Sequence, residues 1–231
     1  MRSAKGVERI IENTMQAKKQ IAAIVSLVVF ALLWGIWSAW QCLVLPKLRL
    51  TLSSVMLLDT VLIKGFLWAV IPLALLSIFR RSDDVLRSLA DTPFPWLPCL
   101  VALSLSAAFL HTLRLINGLM QTHVFFDYGM IVLSVTAGVF EEVGFRGCLF
   151  RVQERTIGFW PAALLNGLTF VLFHYPGIIL GDFTGFVSLR TLLIFTMGIL
   201  FCWMFKRWKN LPMLIVVHTA WDLMSYLFCL S

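Results

Sequence analysis

Residues 128–150 read YGMIVLSVTAGVFEEVGFRGCLF, an apolar stretch with two adjacent glutamates, Glu141 and Glu142, inside it. The stretch is long enough to form a helix that spans a membrane. A carboxylate at the depth of a bilayer costs at least ~2.5 kcal/mol, so a pair indicates either a functional site or a buried ion pair. Arg146 follows Glu142 by four residues, shares its helix face and is its predicted partner.

The composition of the whole chain is that of an integral membrane protein. Of its 231 residues, 60% are hydrophobic and 13% are charged, and the mean hydropathy is +0.89. Soluble domains carry about 25% charged residues. The net charge of +7 does not indicate nucleic-acid binding, because the lysines and arginines are scattered at the ends of apolar segments. The lipid bilayer is the predicted environment, and nucleic acid is not a predicted partner.

Seven apolar segments are long enough to cross the bilayer, which needs about 20 residues. They cover approximately residues 20–45, 53–79, 96–119, 126–150, 158–180, 187–205 and 211–230. The predicted fold is therefore all-α, a polytopic bundle of about seven transmembrane helices.

Basic residues alternate between the connections and predict the orientation of the bundle. The N-terminal arm and the second, fourth and sixth connections are basic, whereas the third and fifth are poor in lysine and arginine. The residues that set the pattern are Arg2, Lys5, Arg9, Lys18, Lys19, Arg80, Arg81, Arg87, Arg151, Arg155, Lys206, Arg207 and Lys209. The positive-inside rule then places the N-terminus in the cytosol and the C-terminus outside. Lys47 and Arg49, in the first connection, depart from the pattern.

Two further apolar segments carry polar and ionisable side chains at internal positions. In the fifth segment, Asn166, Phe170 and His174 are spaced by four residues and share a helix face. In the seventh, His218 and Asp222 have the same spacing. At 1.5 Å per residue, the histidines and the glutamates lie at similar depths from the cytosolic side. We therefore predict that three helices bring carboxylates and imidazoles to one level, where they face each other or water.

Two kinds of hydrolytic chemistry use such a set of side chains. A glutamate near a histidine can act as a general base on water, while an imidazole stabilises the developing oxyanion. Alternatively, two histidines and a carboxylate can bind a divalent metal such as zinc, with an open position for water. The ligands would then be Glu141, His174 and His218.

The order and spacing of these residues resemble the three motifs of the CPBP family, the CAAX-protease and bacteriocin-processing group of membrane proteins. The family's paired glutamates followed by an arginine are similar to Glu141–Arg146. Its Phe-x-x-x-His motif is similar to Phe170–His174, and its His-x-x-x-Asn or Asp motif to His218–Asp222. The resemblance covers about residues 126–230. It implies a helical bundle in the membrane that acts as an intramembrane endopeptidase.

The resemblance also implies catalytic roles for four residues. Glu141 would be the base that activates water, assisted by His174, and His218 with Asp222 would stabilise the oxyanion. Family members with asparagine at the last position have an amide N–H to donate, whereas an aspartate donates only when protonated. Asp222 can instead orient His218 or complete a metal site. Metal-free catalysis is the favoured interpretation and zinc is the alternative.

Supporting roles are expected for Glu142, Arg146, Phe170 and Asn166. Glu142 and Arg146 would form a pair that holds the helix and tunes Glu141. Asn166 is more typical of a contact between helices than of catalysis. Lys64, inside the second segment, is expected to face the interior, pair or snorkel, and no role is assigned to it.

Charge and hydropathy predict a basic cytosolic arm (1–19) and N-terminal transmembrane helices (20–125), and the resemblance implies a CPBP-like catalytic core (126–231). The expected substrate is a membrane-embedded or lipidated peptide or protein. The short chain, without long extensions, favours a bacterial cell membrane and the processing of peptides.

Two other functions are open from the sequence. A non-catalytic membrane adaptor or bacteriocin-immunity protein of the same fold would bind a peptide or partner in the same cavity. A small transporter with a proton relay also uses buried carboxylates and histidines. Against the transporter, the chain shows no paired broken segments and no internal symmetry.

Overall fold

The computed structural model describes residues 2–48, 52–78, 82–118 and 128–228, and every regular element within these ranges is helical. The α-helices are α1 (Arg2–Ala39), α2 (Leu52–Val55), α3 (Ile71–Ile78), α4 (Ser82–Ala90), α5 (Trp96–Ile116), α6 (Tyr128–Glu141), α7 (Arg151–Ile157), α8 (Phe159–His174), α9 (Leu189–Trp208) and α10 (Leu211–Leu227). Four segments are π-helical: Trp40–Val44, Met56–Lys64, Phe66–Val70 and Glu142–Phe150. Short 3-10 helices cover Leu45–Lys47 and Pro176–Leu180. The predicted all-α fold is confirmed.

The described helices correspond to the seven predicted membrane segments. Within the part of the chain that the structure describes, five stretches are long and apolar enough to cross a membrane: Asn13–Lys47, Leu57–Ser77, Trp96–Ile116, Tyr128–Ile157 and Leu189–Trp208. The fifth and seventh predicted segments form the shorter apolar helices α8 and α10. The chain is a multi-pass integral membrane protein, as its composition predicts.

The exposed face of α1 is apolar, as expected of a helix that contacts lipid. Its exposed large apolar residues recur every three or four positions and so form one stripe along the helix. They are Ile21, Ile24, Val28, Leu32 and Ile36. A soluble monomer rarely exposes such a continuous apolar surface, whereas lipid chains cover it without cost.

The predicted N-terminal arm is continuous with the first membrane segment, because α1 begins at Arg2 and ends at Ala39 without a break. Among the residues used to predict the orientation, Arg49, Arg80 and Arg81 lie outside the described ranges. The cytosolic N-terminus, the bacterial membrane and the division at residue 126 stay predictions.

The chain packs into two compact units. The first comprises Met1–Val44 and Cys148–Cys202. Within it, α1 packs against α7, and the Trp34 Nε1–H donates to the carbonyl oxygen of Leu172 in α8 at 2.8 Å. Trp37 stacks on Phe173 with 5.4 Å between ring centroids. The indole rings of Trp34 and Trp37 thus link α1 to α8.

The second unit comprises Leu45–Gly147 and Trp203–Ser231. In it, α10 packs mainly against α6 and α5. Asn210 caps the start of α10, since its Oδ1 accepts from the backbone N–H of Met213 at 2.8 Å. The Asn210 amide also donates to the carbonyl oxygen of Thr92, which follows α4, at 3.1 Å. One polar side chain thus begins α10 and anchors it to the connection before α5.

Candidate active site

Small residues bring α6 and α10 together near the paired glutamates. A Cβ at Gly138 would lie 2.5 Å from Thr219 Oγ1 and 3.0 Å from the carbonyl oxygen of Ile215, so only glycine permits this approach. The Thr219 hydroxyl donates to the carbonyl oxygen of Ser134 at 3.3 Å. Since Thr219 follows His218 and Gly138 lies one turn before Glu141, this contact sets the histidine beside the carboxylates.

His218 makes a short contact with Glu142. Its Nδ1 lies 2.7 Å from Glu142 Oε1, and both side chains are buried. The same oxygen accepts from Arg146 Nη1 at 2.9 Å, so the predicted pair of Glu142 and Arg146 is formed. A carboxylate oxygen that faces a guanidinium accepts rather than donates. The hydrogen of the contact with Glu142 therefore sits on Nδ1 of His218.

The other ring nitrogen of His218 faces two carboxylates. His218 Nε2 lies 3.8 Å from Glu141 Oε2 and 3.8 Å from Asp222 Oδ2. This distance is too long for a direct hydrogen bond, and a water molecule beside the two atoms can contact both of them. The Glu141 side chain is 3% exposed and that of Asp222 is 35% exposed. The accessible edge of the cluster is therefore at Asp222.

Lys64 completes the surroundings of Glu141. Its Nζ lies 2.5 Å from Glu141 Oε1, and its side chain is 12% exposed. The two oxygens of Glu141 thus have different neighbours, an ammonium at Oε1 and an imidazole at Oε2.

Two close approaches lie on either side of this ion pair. A Cβ at Gly65 would lie 2.8 Å from Cζ of Phe140, and a Cβ at Gly144 would overlap the carbonyl oxygen of Trp68. Gly65 is next to Lys64 in the chain, and Phe140 is next to Glu141. The backbone of the second membrane segment is therefore held against α6 and the residues after it.

The change from α-helical to π-helical winding falls between the two glutamates. The helix α6 ends at Glu141, and the π-helical segment begins at Glu142. A second π-helical segment ends at Lys64. Such turns are rare and are frequent at functional sites, so their coincidence with the charged cluster supports a site here.

The second motif lies in the other compact unit. His174 ends α8, and its Nδ1 lies 2.8 Å from the carbonyl oxygen of Phe170, which can only accept. The ring of Phe170 also packs against His174 with 4.7 Å between centroids. Phe170 therefore orients His174 by backbone and ring, while the catalytic role of His174 stays a prediction.

Asn166 makes a contact between helices, in line with its expected structural role. It is fully buried, and its Oδ1 accepts from the Cys202 thiol of α9 at 3.2 Å.

Residues 124–224 match the family model of the Rce1-like type II CAAX prenyl endopeptidases. Residues 124–224 are thus similar to this CAAX protease family. The resemblance to the CPBP family, drawn from the three motifs, is confirmed over these residues. The Rce1-like domain contains Glu141, His174, His218 and Asp222, and it supports assignment to the CAAX-type intramembrane proteases. No curated protein and no solved structure matches the chain significantly.

Lys64 lies outside the Rce1-like domain, and the motifs give no indication of it. The sequence does show a lysine at an internal position of an apolar segment. Because a charged side chain is costly in the membrane interior, such a lysine is a candidate functional residue. The spacing of residues along one helix could not identify Glu141 as the partner of Lys64, because Glu141 is on a different helix.

Within the described residues, no group of three or more histidine, cysteine, aspartate or glutamate side chains is arranged to hold a metal ion. The ligand atoms of the predicted zinc set have other neighbours: Lys64 at Glu141 Oε1, Glu142 at His218 Nδ1 and the Phe170 carbonyl at His174 Nδ1.

Proposed function

We propose that this protein is a glutamate-dependent intramembrane endopeptidase that hydrolyses a peptide bond of a membrane-embedded or lipidated peptide or protein. The observation that carries the proposal is the separation of 3.8 Å between Glu141 Oε2 and His218 Nε2. Both groups are buried, and a water molecule beside the two atoms would contact a general base and an imidazole at once. The Rce1-like domain supports the reaction class.

In the proposed reaction, Glu141 Oε2 takes a proton from water as the water oxygen attacks the carbonyl carbon of the scissile bond. The carbonyl oxygen becomes an oxyanion, and a protonated His218 donates to it from Nε2. Collapse of the tetrahedral intermediate re-forms the carbonyl and breaks the C–N bond. The proton held by Glu141 passes to the leaving amine, so the enzyme returns to its starting state.

Glu142 acts in this scheme on His218 rather than on the substrate. Its Oε1 holds the Nδ1–H, which fixes the ring so that Nε2 faces the reacting groups. Arg146 supplies the opposite charge beside the buried Glu142 carboxylate, with Nη1 at 2.9 Å from Oε1. The two supporting residues thus set the orientation of a catalytic one, as a buried aspartate does for the histidine of a serine protease.

Asp222 is assigned an orienting role at the accessible edge of the cluster. When ionised it can only accept, so it cannot itself donate to an oxyanion. Its Oδ2 lies at the same distance from His218 Nε2 as does Glu141 Oε2, and it can hold the ring or a substrate N–H. His174 is proposed, from its motif alone, to assist Glu141.

Lys64 supports a reaction without a metal ion. An ammonium 2.5 Å from Glu141 Oε1 repels a divalent cation from that carboxylate. The water is then activated by the carboxylate itself and not by coordination to zinc.

The test is hydrolysis of lipidated and unlipidated peptides by the purified protein in lipid vesicles. The Glu141→Gln variant keeps the size of the side chain and removes the base, so we expect no measurable cleavage. Insertion and thermal unfolding of the variant serve as controls for folding. Turnover by Glu141→Gln at the wild-type rate would rule out Glu141 as the base. The non-catalytic adaptor is the better assignment if the wild type cleaves neither peptide class and if the wild type and the Glu141→Gln variant bind the peptides with equal strength.

A further inference from the structure

Lys64 is the member of the cluster that the Rce1-like domain does not contain. It belongs to the membrane segment Leu57–Ser77, far before residues 124–224 in the chain. A lysine within such a segment is expensive, and its cost falls when it meets an opposite charge. Lys64 meets Glu141, the residue proposed as the base.

The contact distinguishes the two oxygens of that carboxylate. Oε1 faces the ammonium at 2.5 Å, so Oε2 is the oxygen turned to His218 Nε2. A carboxylate without such a partner can rotate and exchange its two oxygens. Lys64 therefore favours the one rotamer in which Oε2 and Nε2 are separated by a distance that water can bridge.

The backbone around Lys64 is also fixed, by two close contacts with neighbouring residues. Gly65 accommodates the ring of Phe140, and Gly144 lies against the carbonyl oxygen of Trp68. Lys64 and Trp68 are four positions apart, so they lie close together along one side of their helix. Both approaches fix the height and rotation of Lys64 relative to Glu141. The ion pair is thus part of a rigid arrangement rather than a chance contact of a flexible side chain.

The charges of the cluster divide into two pairs of the same kind. Arg146 pairs with Glu142, and Lys64 pairs with Glu141. The first pair is fully buried, whereas Lys64 retains 12% of its exposure. The pair that includes the proposed base is therefore the one nearer to a path for water and substrate.

We infer that Lys64 is a positioning residue of the active site, whose ammonium holds Oε1 of Glu141 and so presents Oε2 to water. The inference rests on the proposed function, and it assigns part of the site to the N-terminal membrane segments. Lys64 acts through Glu141 and does not touch the reacting atoms.

The first experiment compares Lys64→Met, Lys64→Arg and Lys47→Met in the full chain in vesicles. Lys47 is an exposed lysine of the same compact unit and is the matched control. We expect Lys64→Met to lower kcat by about 100-fold, the typical cost of a misplaced catalytic group, with KM nearly unchanged. Lys64→Arg keeps the charge and should retain most of the wild-type kcat. Lys47→Met should have the same kcat and KM as the wild type.

Three outcomes would overturn the inference. Wild-type kcat in Lys64→Met means that Glu141 needs no such partner. A rise in KM with kcat unchanged means that Lys64 binds substrate. Equal losses of kcat in the Met and Arg variants, in step with lower melting temperatures, mean that Lys64 only supports the fold.

A second measurement does not depend on activity. Thermal unfolding is compared for Lys64→Met, Glu141→Gln and the double variant. Each single change leaves one buried charge without its partner. The melting temperature of the double variant should therefore fall by less than the sum of the falls in the two single variants. Additive losses would mean that the ion pair does not exist, and the inference would fail.

These results separate the inference from the proposed function. Full turnover by Glu141→Gln removes the proposed base and with it the role of Lys64 in catalysis. An inactive Glu141→Gln beside a fully active Lys64→Met leaves the proposed function intact and removes the inference alone.

Discussion

Glu142 and His218 are joined by a hydrogen bond of 2.7 Å between Oε1 and Nδ1, although 76 positions separate them in the chain. The motif suggested that Glu142 is mainly the partner of Arg146. In the structure, one oxygen of Glu142 accepts from both the guanidinium and the imidazole. A buried carboxylate in this position holds the Nδ1–H and fixes the orientation of the ring, so that Nε2 is turned toward the reaction. The two adjacent glutamates therefore act on opposite sides of one histidine.

Replacement of Glu142 by glutamine should abolish most of the activity. The neutral amide removes the negative charge that stabilises the doubly protonated ring of His218, so Nε2 donates less strongly to the oxyanion, and the loss of one oxyanion contact costs about 10²–10³-fold in kcat. We expect a loss of at least two orders of magnitude, measured as kcat on a lipidated peptide.

The double variant Glu142→Gln with Arg146→Met separates orientation from stability. The single glutamine variant leaves the buried guanidinium without its carboxylate, which typically costs ~3–5 kcal/mol. Removal of the guanidinium should recover much of the melting temperature but none of the activity. Recovery of both would mean that Glu142 is only the partner of Arg146.

Gly144→Ala should impair the site by separating two helices. A Cβ at this position overlaps the carbonyl oxygen of Trp68, so the segment that follows Glu142 must move away from the segment that bears Lys64. Forced overpacking costs about 1–3 kcal/mol in stability, and we expect a fall in kcat of tenfold or more because the ion pair is stretched.

Gly35→Ala is the matched control for that change. Gly35 is also helical, in α1, and a Cβ there meets nothing within 4 Å. Alanine should therefore leave activity unchanged and keep or slightly raise the melting temperature. Equal effects of the two substitutions on kcat would argue against close approach as the reason for Gly144.

The parts of the site that the sequence predicts are those governed by local periodicity. Glu142 and Arg146, four residues apart, form the expected ion pair, and the predicted shared face of His218 and Asp222 places Nε2 and Oδ2 3.8 Å apart. The membrane segments were predictable for a similar reason, since each needs only a run of about 20 apolar residues.

The contacts between helices were not predictable in the same way. The spacing along one helix does not say which other helix it faces, so neither the pair of Lys64 with Glu141 nor the Nδ1 contact of His218 follows from it. The π-helical segment at Glu142–Phe150 depends on hydrogen bonds five residues apart, for which the residue pattern has no clear signal. From the separate segments, the sequence could predict only that the carboxylates and imidazoles lie at similar depths in the membrane.

Asp222→Asn should keep most of the activity, and Asp222→Ala should lose it. Asparagine has the size of aspartate, still accepts through its oxygen, and adds an N–H that can donate to an oxyanion. Alanine offers neither group at the accessible edge of the cluster. We expect kcat/KM of the asparagine variant within about tenfold of the wild type and a loss of about 100-fold for alanine, the scale of a misplaced catalytic group.

The pair of variants also decides what Asp222 contributes. If asparagine is as inactive as alanine, the negative charge of Asp222 is required, and an orienting ionic role replaces hydrogen bonding. If both are fully active, Asp222 has no part in the reaction.

Removal of metal ions should leave the hydrolysis unchanged. The ammonium of Lys64 lies 2.5 Å from Glu141 Oε1 and opposes the entry of a divalent cation there. Because the proposed base is the carboxylate itself, dialysis against a strong chelator should not alter kcat, and the dialysed protein should contain far less than one equivalent of zinc. Loss of activity on chelation, restored by added zinc, would contradict the metal-free mechanism. The Lys64→Met variant sharpens the test: only if the ammonium excludes a cation from Glu141 should this variant bind zinc more strongly than the wild type.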